Sequence, residues 1–206
     1  RAGDITQGDK TGDIPLSDVV KDFLKEKYQK EGNVFLGVVH RLDRPTSGVI
    51  IFAKTSKSLE RLNKMLHDKK IQKTYWAVVK NHPEKEKDTL INFLKKNPTN
   101  NKSAVYNTEV KNSKRAVLHY QLLKKLDNYS LLEIDLETGR HHQIRSQLAA
   151  IGFPVKGDLK YGFPRSNKDA SIHLHARKID FQHPVSKELI CITAPTPDDV
   201  IWNECN

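Results

Sequence analysis

Cysteine and methionine are scarce in this chain of 206 residues, which has two cysteines and one methionine. Cys191 and Cys205 lack the Cys-x-x-Cys spacing, and free thiols in a reducing cytoplasm are the simplest interpretation. No apolar run approaches the roughly 20 residues that span a bilayer, and no secretory signal peptide opens the chain. The sequence therefore predicts a cytoplasmic protein without a membrane-spanning segment.

The motifs that bind common cofactors are also missing. The chain has no Walker loop, no Gly-x-Gly-x-x-Gly and no Gly-x-Ser-x-Gly. The pairs His141-His142 and His173-x-His175 could be considered as metal ligands. However, adjacent histidines on a helix point about 100° apart, and no third ligand is evident near the second pair. We therefore expect neither a cofactor nor a metal.

Acidic residues are outnumbered in this chain. There are 25 Asp and Glu against 35 Lys and Arg, which gives a net charge of +10. Such a balance favours polyanionic partners, nucleic acid first and an anionic membrane surface second, although a merely basic soluble protein is equally compatible with it. Charged residues make up 29% and hydrophobic residues 37% of the chain, a composition typical of a globular protein.

Helical and strand patterns alternate irregularly along the chain. Helices are predicted from Pro15 to about Gly32, after Ser56 as N-cap, and over 141–151. Strands are predicted over 34–40, 48–54, 71–80, 115–126, 130–136, 173–181 and 189–193, with a basic loop at 95–103. Without a steady βαβ alternation or a clear linker, the pattern predicts one α+β domain over residues 1–206 with a mixed, mostly antiparallel sheet.

The segment HRLDRPTSG at residues 40–48 places a carboxylate between two cations. Asp43 lies between Arg41 and Arg44, in a turn that apolar segments precede and follow. A carboxylate flanked by cations stays ionised at neutral pH, and a positioned carboxylate can act as a nucleophile or a base. In a basic chain, this combination suggests chemistry on a nucleic acid.

A second cationic segment, ETGRHHQIR at residues 137–145, lies where a strand is expected to end and a helix to begin. A helix N-terminus is suited to phosphate, and Arg140 adds a cation there. Arg145 shares a helix face with His141, so it could point inward and pair with a buried carboxylate. An ordinary surface helix explains the same residues equally well. Lys73 and Tyr75 share one face of a strand, where tyrosine usually serves packing.

Taken together, these segments resemble the motifs of the RluA-type pseudouridine synthases. The matching segments are HRLDRPTSG at 40–48, KTY at 73–75, TGRHHQIR at 138–145, GFPVKGD at 152–158 with YG at 161–162, and HLHA at 173–176 with FQHP at 181–184. They occur in the family's order and span about residues 37–197. His141 stands where Thr or Ser is more usual. The family's first motif is mostly absent, so we expect a truncated N-terminal segment, and no S4-type RNA-binding domain is expected in this chain.

The resemblance implies a pseudouridine synthase fold with flanking helices and a catalytic cleft. It also implies isomerisation of specific uridines in tRNA or rRNA, with base flipping and without a cofactor. By the same resemblance, Asp43 is catalytic, Tyr75 stacks on the target base and takes part in removing the C5 proton, and Arg145 forms the ion pair with Asp43. Arg41 helps to displace the flipped base and Arg140 contacts phosphate. The remaining expected RNA contacts are Arg44, Lys73 and His141.

Two other functions fit part of the sequence. One is a catalytically silent RNA-binding module on the same fold. The other is a hydrolase with Asp43 as nucleophile, which would need a second carboxylate or metal ligands nearby. The residues leave open whether Asp43 attacks C1′ or the base, or takes a sugar proton. A monomer is the default expectation, and the missing S4 domain favours tRNA or a short stem-loop over a large ribosomal site.

Overall fold

The computed structural model describes residues 1–8 and 12–205, and within them eight strands form one central sheet. The elements in chain order are α1 (Leu16–Lys27), β1 (Gly37–Val38), β2 (Ser47–Gly48), β3 (Phe52–Ala53), α2 (Ser56–His67), β4 (Ile71–Lys80), β5 (Lys87–Asn97), β6 (Lys102–Tyr106), β7 (Lys114–Lys125), β8 (Tyr129–Leu136), α3 (Gln143–Ala150), a 3₁₀ turn (Leu159–Tyr161), β9 (Leu174–Gln182), β10 (Leu189–Thr193) and α4 (Val200–Cys205).

The sheet has the strand order β10-β9-β4-β8-β7-β5-β6, and every neighbouring pair along this path is antiparallel. The short β2 adds a parallel pairing to β9, while β1 and β3 form a separate two-stranded sheet. The predicted α+β class with a mixed, mostly antiparallel sheet is therefore confirmed.

Alternate residues of β4 point to opposite faces of the sheet and contact different helices. Tyr75, Ala77 and Val79 pack in one cluster with Ile144 and Leu148 of α3. At the start of the same strand, Ile71 belongs to the cluster that α2 covers. Val78 faces the other side, where Leu131 and Trp202 of α4 pack against it. The C-terminal half of the chain thus places α3 over the middle of β4.

The predicted strands over 34–40 and 48–54 are much shorter in the structure, with only two-residue strands in each range. The reason is that their backbone groups bond elsewhere. The N–H of Ile51 donates to Nε2 of His40 at 3.1 Å, and the N–H of Val49 donates to the carbonyl of Ala176 in β9 at 2.9 Å. The second bond holds the segment against the main sheet, and neither bond extends a ladder between the two ranges.

The prediction of a basic loop over 95–103 is wrong, because β5 continues to Asn97 and β6 begins at Lys102. The turn between them is stabilised by asparagine side chains. Oδ1 of Asn97 accepts the N–H of Thr99 at 2.9 Å, and Oδ1 of Asn100 accepts that of Lys102 at 3.0 Å. Asparagine marks a tight hairpin turn here rather than a loose loop. Helix α4 was not predicted from the sequence either.

Two helix starts differ from the prediction. Thr55, not Ser56, caps α2, and its side chain accepts the N–H of Ser58 at 3.1 Å. The third helix begins at Gln143 rather than 141, because His142 has a left-handed conformation with φ 51°. His141 therefore precedes the helix and does not share a helical face with Arg145.

Candidate active site

Asp43 lies in a tight turn that the main sheet holds in place. The N–H of Thr46 donates to the carbonyl of Asp43 at 2.8 Å, which closes the turn before β2. Gly48 has φ 120°, and a Cβ at this position would lie 2.3 Å from the carbonyl oxygen of Ala176. Only glycine permits so close an approach of β2 to β9. Ser47 adds a buried hydrogen bond to His175 at 2.8 Å, so the turn has little freedom to move.

Arg145 of α3 is buried, with 4% of its surface exposed, and joins two carboxylates. Its Nη1 donates to Oδ2 of Asp43 at 3.0 Å, across 102 residues of sequence. Its Nε and Nη2 donate to Oδ2 and Oδ1 of Asp158 at 2.6 and 2.8 Å. Burial alone would lower the pKa of Arg145, but the hydrogen bonds and charges of Asp158 and Asp43 raise it. The guanidinium is therefore a permanent cation fixed by a buried bidentate pair.

Of the two carboxylate oxygens of Asp43, only Oδ2 is engaged by the part of the chain that the structure describes. Besides Arg145, Nε2 of His142 lies 3.7 Å from this oxygen. The Asp43 side chain retains 30% of its exposure, and Oδ1 accepts no hydrogen bond from residues 1–8 or 12–205. The site thus holds one oxygen and leaves the other available to a substrate.

Tyr75 lies on the α3 face of β4, 7% exposed, in the cluster that also includes Leu42 and Ile144. Burial, together with the negative charge of Asp43, raises the pKa of its phenol. Among the described residues, no group forms a hydrogen bond with its hydroxyl. The side chain is therefore a neutral phenol close to the carboxylate.

Four residues of the site were not predicted from the sequence: Asp158, His142 and Tyr161, which contact Arg145 or Asp43, and Ser103, which contacts Tyr161. Nδ1 of His142 lies 2.9 Å from the Tyr161 hydroxyl, which accepts the backbone N–H of Ser103 at 2.7 Å. The Tyr161 ring lies 5.2 Å from the guanidinium of Arg145. Burial and the charge of Arg145 lower the pKa of His142 to about 3, so its imidazole is neutral. A Tyr161 hydroxyl that donates to Nδ1 leaves the proton on Nε2, which faces Asp43.

A signal for three of these residues was present in the sequence. Asp158 and Tyr161 lie in the segments that resemble family motifs, although no role was assigned to them. His142 lies within the third motif, but its left-handed backbone and its approach to Asp43 were not readable from the pattern. Ser103 lies in the range predicted as a loop. Its contacts depend on the β5–β6 hairpin, a tertiary feature.

The predicted RNA-contacting residues differ in their exposure and in the groups that they contact. Arg41 is exposed. Arg44 forms an exposed ion pair with Asp13 at 2.7 Å, and the Nε of Arg140 donates to the carbonyl of Arg115 at 2.9 Å. The ring of His141 stacks on His142 at 3.8 Å between centroids, next to the site. Lys73 is half-buried on β4.

A basic hairpin borders the site on the β6 side. The β5–β6 hairpin carries Lys95, Lys96 and Lys102 near its turn, and Ser103 joins it to His141 through two hydrogen bonds of 2.9 and 2.7 Å. Burial, with the charge of Lys96 and others, lowers the pKa of His141. Several positive charges therefore lie around the opening beside Asp43.

The described residues contain neither a cluster of metal-ligating side chains nor a helix that could span a membrane. No group of three or more His, Cys, Asp or Glu side chains converges in the described ranges 1–8 and 12–205. No helix in these ranges has the length and apolar character needed to cross a membrane.

Comparison with known proteins identifies the family. The family model described as RNA pseudouridylate synthase matches residues 1–150. The chain belongs to this family. Curated relatives of this family include an uncharacterised RNA pseudouridine synthase of Synechocystis, 37% identical over 78% of this chain and 50% of the relative. They also include ribosomal large subunit pseudouridine synthase C of Buchnera aphidicola, 39% identical over 79% and 54%, and synthase D of Zymomonas mobilis, 33% identical over 80% and 54%. The chain spans about half the length of these relatives.

Solved structures confirm the fold of this family member. Human RNA pseudouridylate synthase domain containing 4 matches with a TM-score of 0.81 at 21% identity, over 98% of this chain and 85% of that chain. Human RNA pseudouridylate synthase domain containing 1 matches with a TM-score of 0.72 at 20% identity, over 98% and 86%. The resemblance to RluA-type synthases is confirmed by the family model and by the curated relatives, which include ribosomal large subunit synthases C and D.

Proposed function

We propose that this protein isomerises uridine in RNA to pseudouridine, with Asp43 as the catalytic carboxylate. One observation carries the proposal: Asp43 has one oxygen bound to the buried Arg145 and a second oxygen that none of the described residues binds, close to the buried ring of Tyr75. An aligned and partly exposed carboxylate beside an aromatic ring suits a reaction on a flipped-out base.

The isomerisation requires no atom beyond those of the substrate. The N1–C1′ bond breaks, C5 bonds to C1′, C5 loses a proton and N1 gains one. Asp43 can assist by attacking C1′ or the base with Oδ1, or by accepting a sugar proton. In each case Arg145 holds Oδ2 and compensates the carboxylate charge, which supports a positioning role for the guanidinium.

Tyr75 is proposed to stack on the target base. A stacked base contributes about 1–3 kcal/mol of binding. The raised pKa of the phenol means that its phenolate is scarce at neutral pH, so stacking and hydrogen bonding fit this side chain better than acting as the base for the C5 proton.

RNA binding is proposed to use the cations around the opening. Arg41 and Arg140 are exposed, and the hairpin turn adds further lysines. Arg44, Lys73 and His141 complete the proposed contact set. Phosphate contacts of this kind make the affinity fall steeply with salt.

The proposed substrate is ribosomal or transfer RNA. Two relatives are named as ribosomal large subunit synthases, so large-subunit rRNA is the first RNA to test and tRNA the second. Because Asp43, Tyr75 and Arg145 all belong to one chain, we propose that a monomer suffices. Its cysteines, Cys191 and Cys205, are both free, which supports a cytoplasmic location.

The two alternative functions are less well supported. A hydrolase needs a second working carboxylate, and the nearest candidate, Asp158, is 1% exposed with both oxygens bound to Arg145. A catalytically silent RNA-binding module would not require a buried arginine that holds a partly exposed carboxylate in place. Release of free uracil from RNA would favour the hydrolase.

The test is tritium release from rRNA and tRNA transcripts that contain [5-³H]uridine. We expect the wild-type protein to release tritium and Asp43→Asn to lose nearly all of this activity while it still binds RNA. Asp127→Asn, the same change in an exposed turn, is the matched control and should remain active. Equal activity of the wild type and Asp43→Asn would refute the assignment of Asp43.

A further inference from the structure

A crevice opens at the beginning of β4, where its neighbour β8 departs from it. The two strands pair from Thr74 and Asp135 onward. After that pairing ends, the N–H of Glu137 donates to the carbonyl of Val117 in β7 at 3.2 Å, so the chain leading to Gly139 separates from β4. The resulting cavity of about 180 Å³ is lined on one side by Lys73 and on the other by residues 136–139.

The carboxylates that line this crevice already have partners. The carboxylate of Glu137 accepts hydrogen bonds from Lys69 at 3.3 Å and pairs with His119 at 2.9 Å. The carboxylate of Asp135 accepts the hydroxyl hydrogen of Thr74 at 3.1 Å. Glu137 thus has a cationic partner within the protein, and Asp135 is bound to the hydroxyl of Thr74, on the strand face opposite to Lys73.

Lys73 differs from Lys69, the other lysine that lines the crevice, because no carboxylate in the described residues lies within ion-pair distance of its ammonium. It is half-buried, and burial lowers its pKa. An ammonium that has lost part of its hydration without gaining an anion is stabilised when an anion binds. The crevice thus provides a positive charge that the protein itself does not satisfy.

The position of Lys73 relates the crevice to the candidate active site. Lys73 is two residues from Tyr75 on the same strand face, a distance of about 7 Å along β4. Its Nζ lies 3.9 Å from the point where a Cβ of Gly139 would be, so this glycine leaves the ammonium open toward the segment of Arg140. An anion bound here would lie one nucleotide or so away from a base stacked on Tyr75.

We propose that this crevice binds a single backbone phosphate of the RNA strand that carries the target uridine, with Lys73 as its counter-ion. The proposal rests on the proposed function, since it takes the strand through the site as RNA. It adds a defined phosphate subsite to that function and separates Lys73 from the exposed lysines that attract RNA over a distance.

The first experiment measures the affinity for an RNA stem-loop with a uridine-rich loop at several salt concentrations. Each lost phosphate contact should reduce the slope of log K against log[salt] by about 0.7–0.9. For Lys73→Gln, the affinity ratio of wild type to variant should fall about threefold over a roughly fourfold rise in salt. Lys70→Gln removes the same charge from an exposed position outside the crevice and should keep the wild-type slope.

The second experiment replaces the loop phosphates one at a time with neutral methylphosphonates. The wild type should lose affinity at one position beside the target uridine, and Lys73→Gln should be insensitive at that same position, as a double-mutant cycle requires of two groups in contact. The proposal would be overturned if Lys73→Gln left the salt slope of the affinity unchanged, or if Lys70→Gln changed that slope equally. It would also be overturned if no single phosphate position lost its effect on affinity in Lys73→Gln. Both experiments measure RNA binding, so they test the phosphate subsite even if the protein releases no tritium. Tritium release by the wild type tests the proposed isomerisation even if the phosphate subsite is refuted.

Discussion

Replacing Asp158 with asparagine should inactivate the protein without removing any RNA contact. The carboxylate of Asp158 is 1% exposed and accepts two hydrogen bonds from Arg145. An asparagine amide has one acceptor oxygen and one donor nitrogen, so one of the two guanidinium N–H groups would face an NH₂ group. Arg145 would then lose the partner that fixes its orientation toward Asp43.

The magnitude follows from the burial of this pair. Removing one partner of a buried ion pair costs about 3–5 kcal/mol. Arg145 would retain Asp43, so we expect a loss in the free energy of unfolding near the lower limit, about 3 kcal/mol. A misplaced catalytic group costs about 100-fold in rate, and we expect kcat to fall by at least that factor with little change in KM for RNA.

Tritium release gives kcat and KM, and urea unfolding gives the stability. Asp158→Glu keeps the charge and should recover part of the lost kcat, which a variant that is merely unfolded would not do. A folded Asp158→Asn protein with wild-type kcat would refute the reasoning. A rise in KM with unchanged kcat would also refute it, because a buried carboxylate has no access to RNA.

Two further predictions concern Tyr75 and His40. Tyr75→Leu should weaken RNA binding by about 1–3 kcal/mol through lost stacking, whereas Tyr75→Phe should bind as the wild type does; fluorescence anisotropy tests this, and equal losses in both variants would contradict stacking. Burial lowers the pKa of His40 from 6.5 to about 4. Because the unfolded chain therefore binds a proton at this residue more readily than the folded chain does, the free energy of unfolding should fall as the pH falls from 6.5 to 4. The expected loss is about 1 kcal/mol per pH unit. Urea unfolding should show a shallower pH slope in His40→Gln than in the exposed control His67→Gln, and identical slopes would contradict the assignment.

Charge balance around Asp43 explains why the site combines several ionisable groups. One guanidinium lies between the two carboxylates of Asp43 and Asp158, and the adjacent His142 is neutral. The group as a whole therefore keeps one negative charge, at the partly exposed Asp43, while the exposed surface supplies the positive charges that attract RNA. The reactive carboxylate is aligned by Arg145 without being enclosed by it.

The sequence by itself determined the strongest local features of this protein. The irregular alternation of helical and strand patterns predicted the α+β class. The residue types around Asp43 and Arg145 indicated a functional carboxylate and a functional cation. These features depend on composition and short-range spacing, which are properties of the chain before it folds. The length of β7 and β8 was predicted within a few residues for the same reason.

Only the tertiary structure decided which groups meet. Asp43 and Arg145 are 102 residues apart, and since no spacing rule relates positions so distant, their pairing was implied only by the family resemblance until the structure placed the two side chains in contact. The sequence assigned no role to Asp158, whose two oxygens both accept hydrogen bonds from the guanidinium of Arg145 in the structure. His142 approaches Asp43 because its backbone is left-handed. The hairpin turn at 98–101 was hidden because asparagine side chains replace backbone partners there. Long-range pairing and side-chain bonds to the backbone arise only when the fold brings the partners together, so the candidate site was visible in the sequence as separate parts and became one arrangement in the structure.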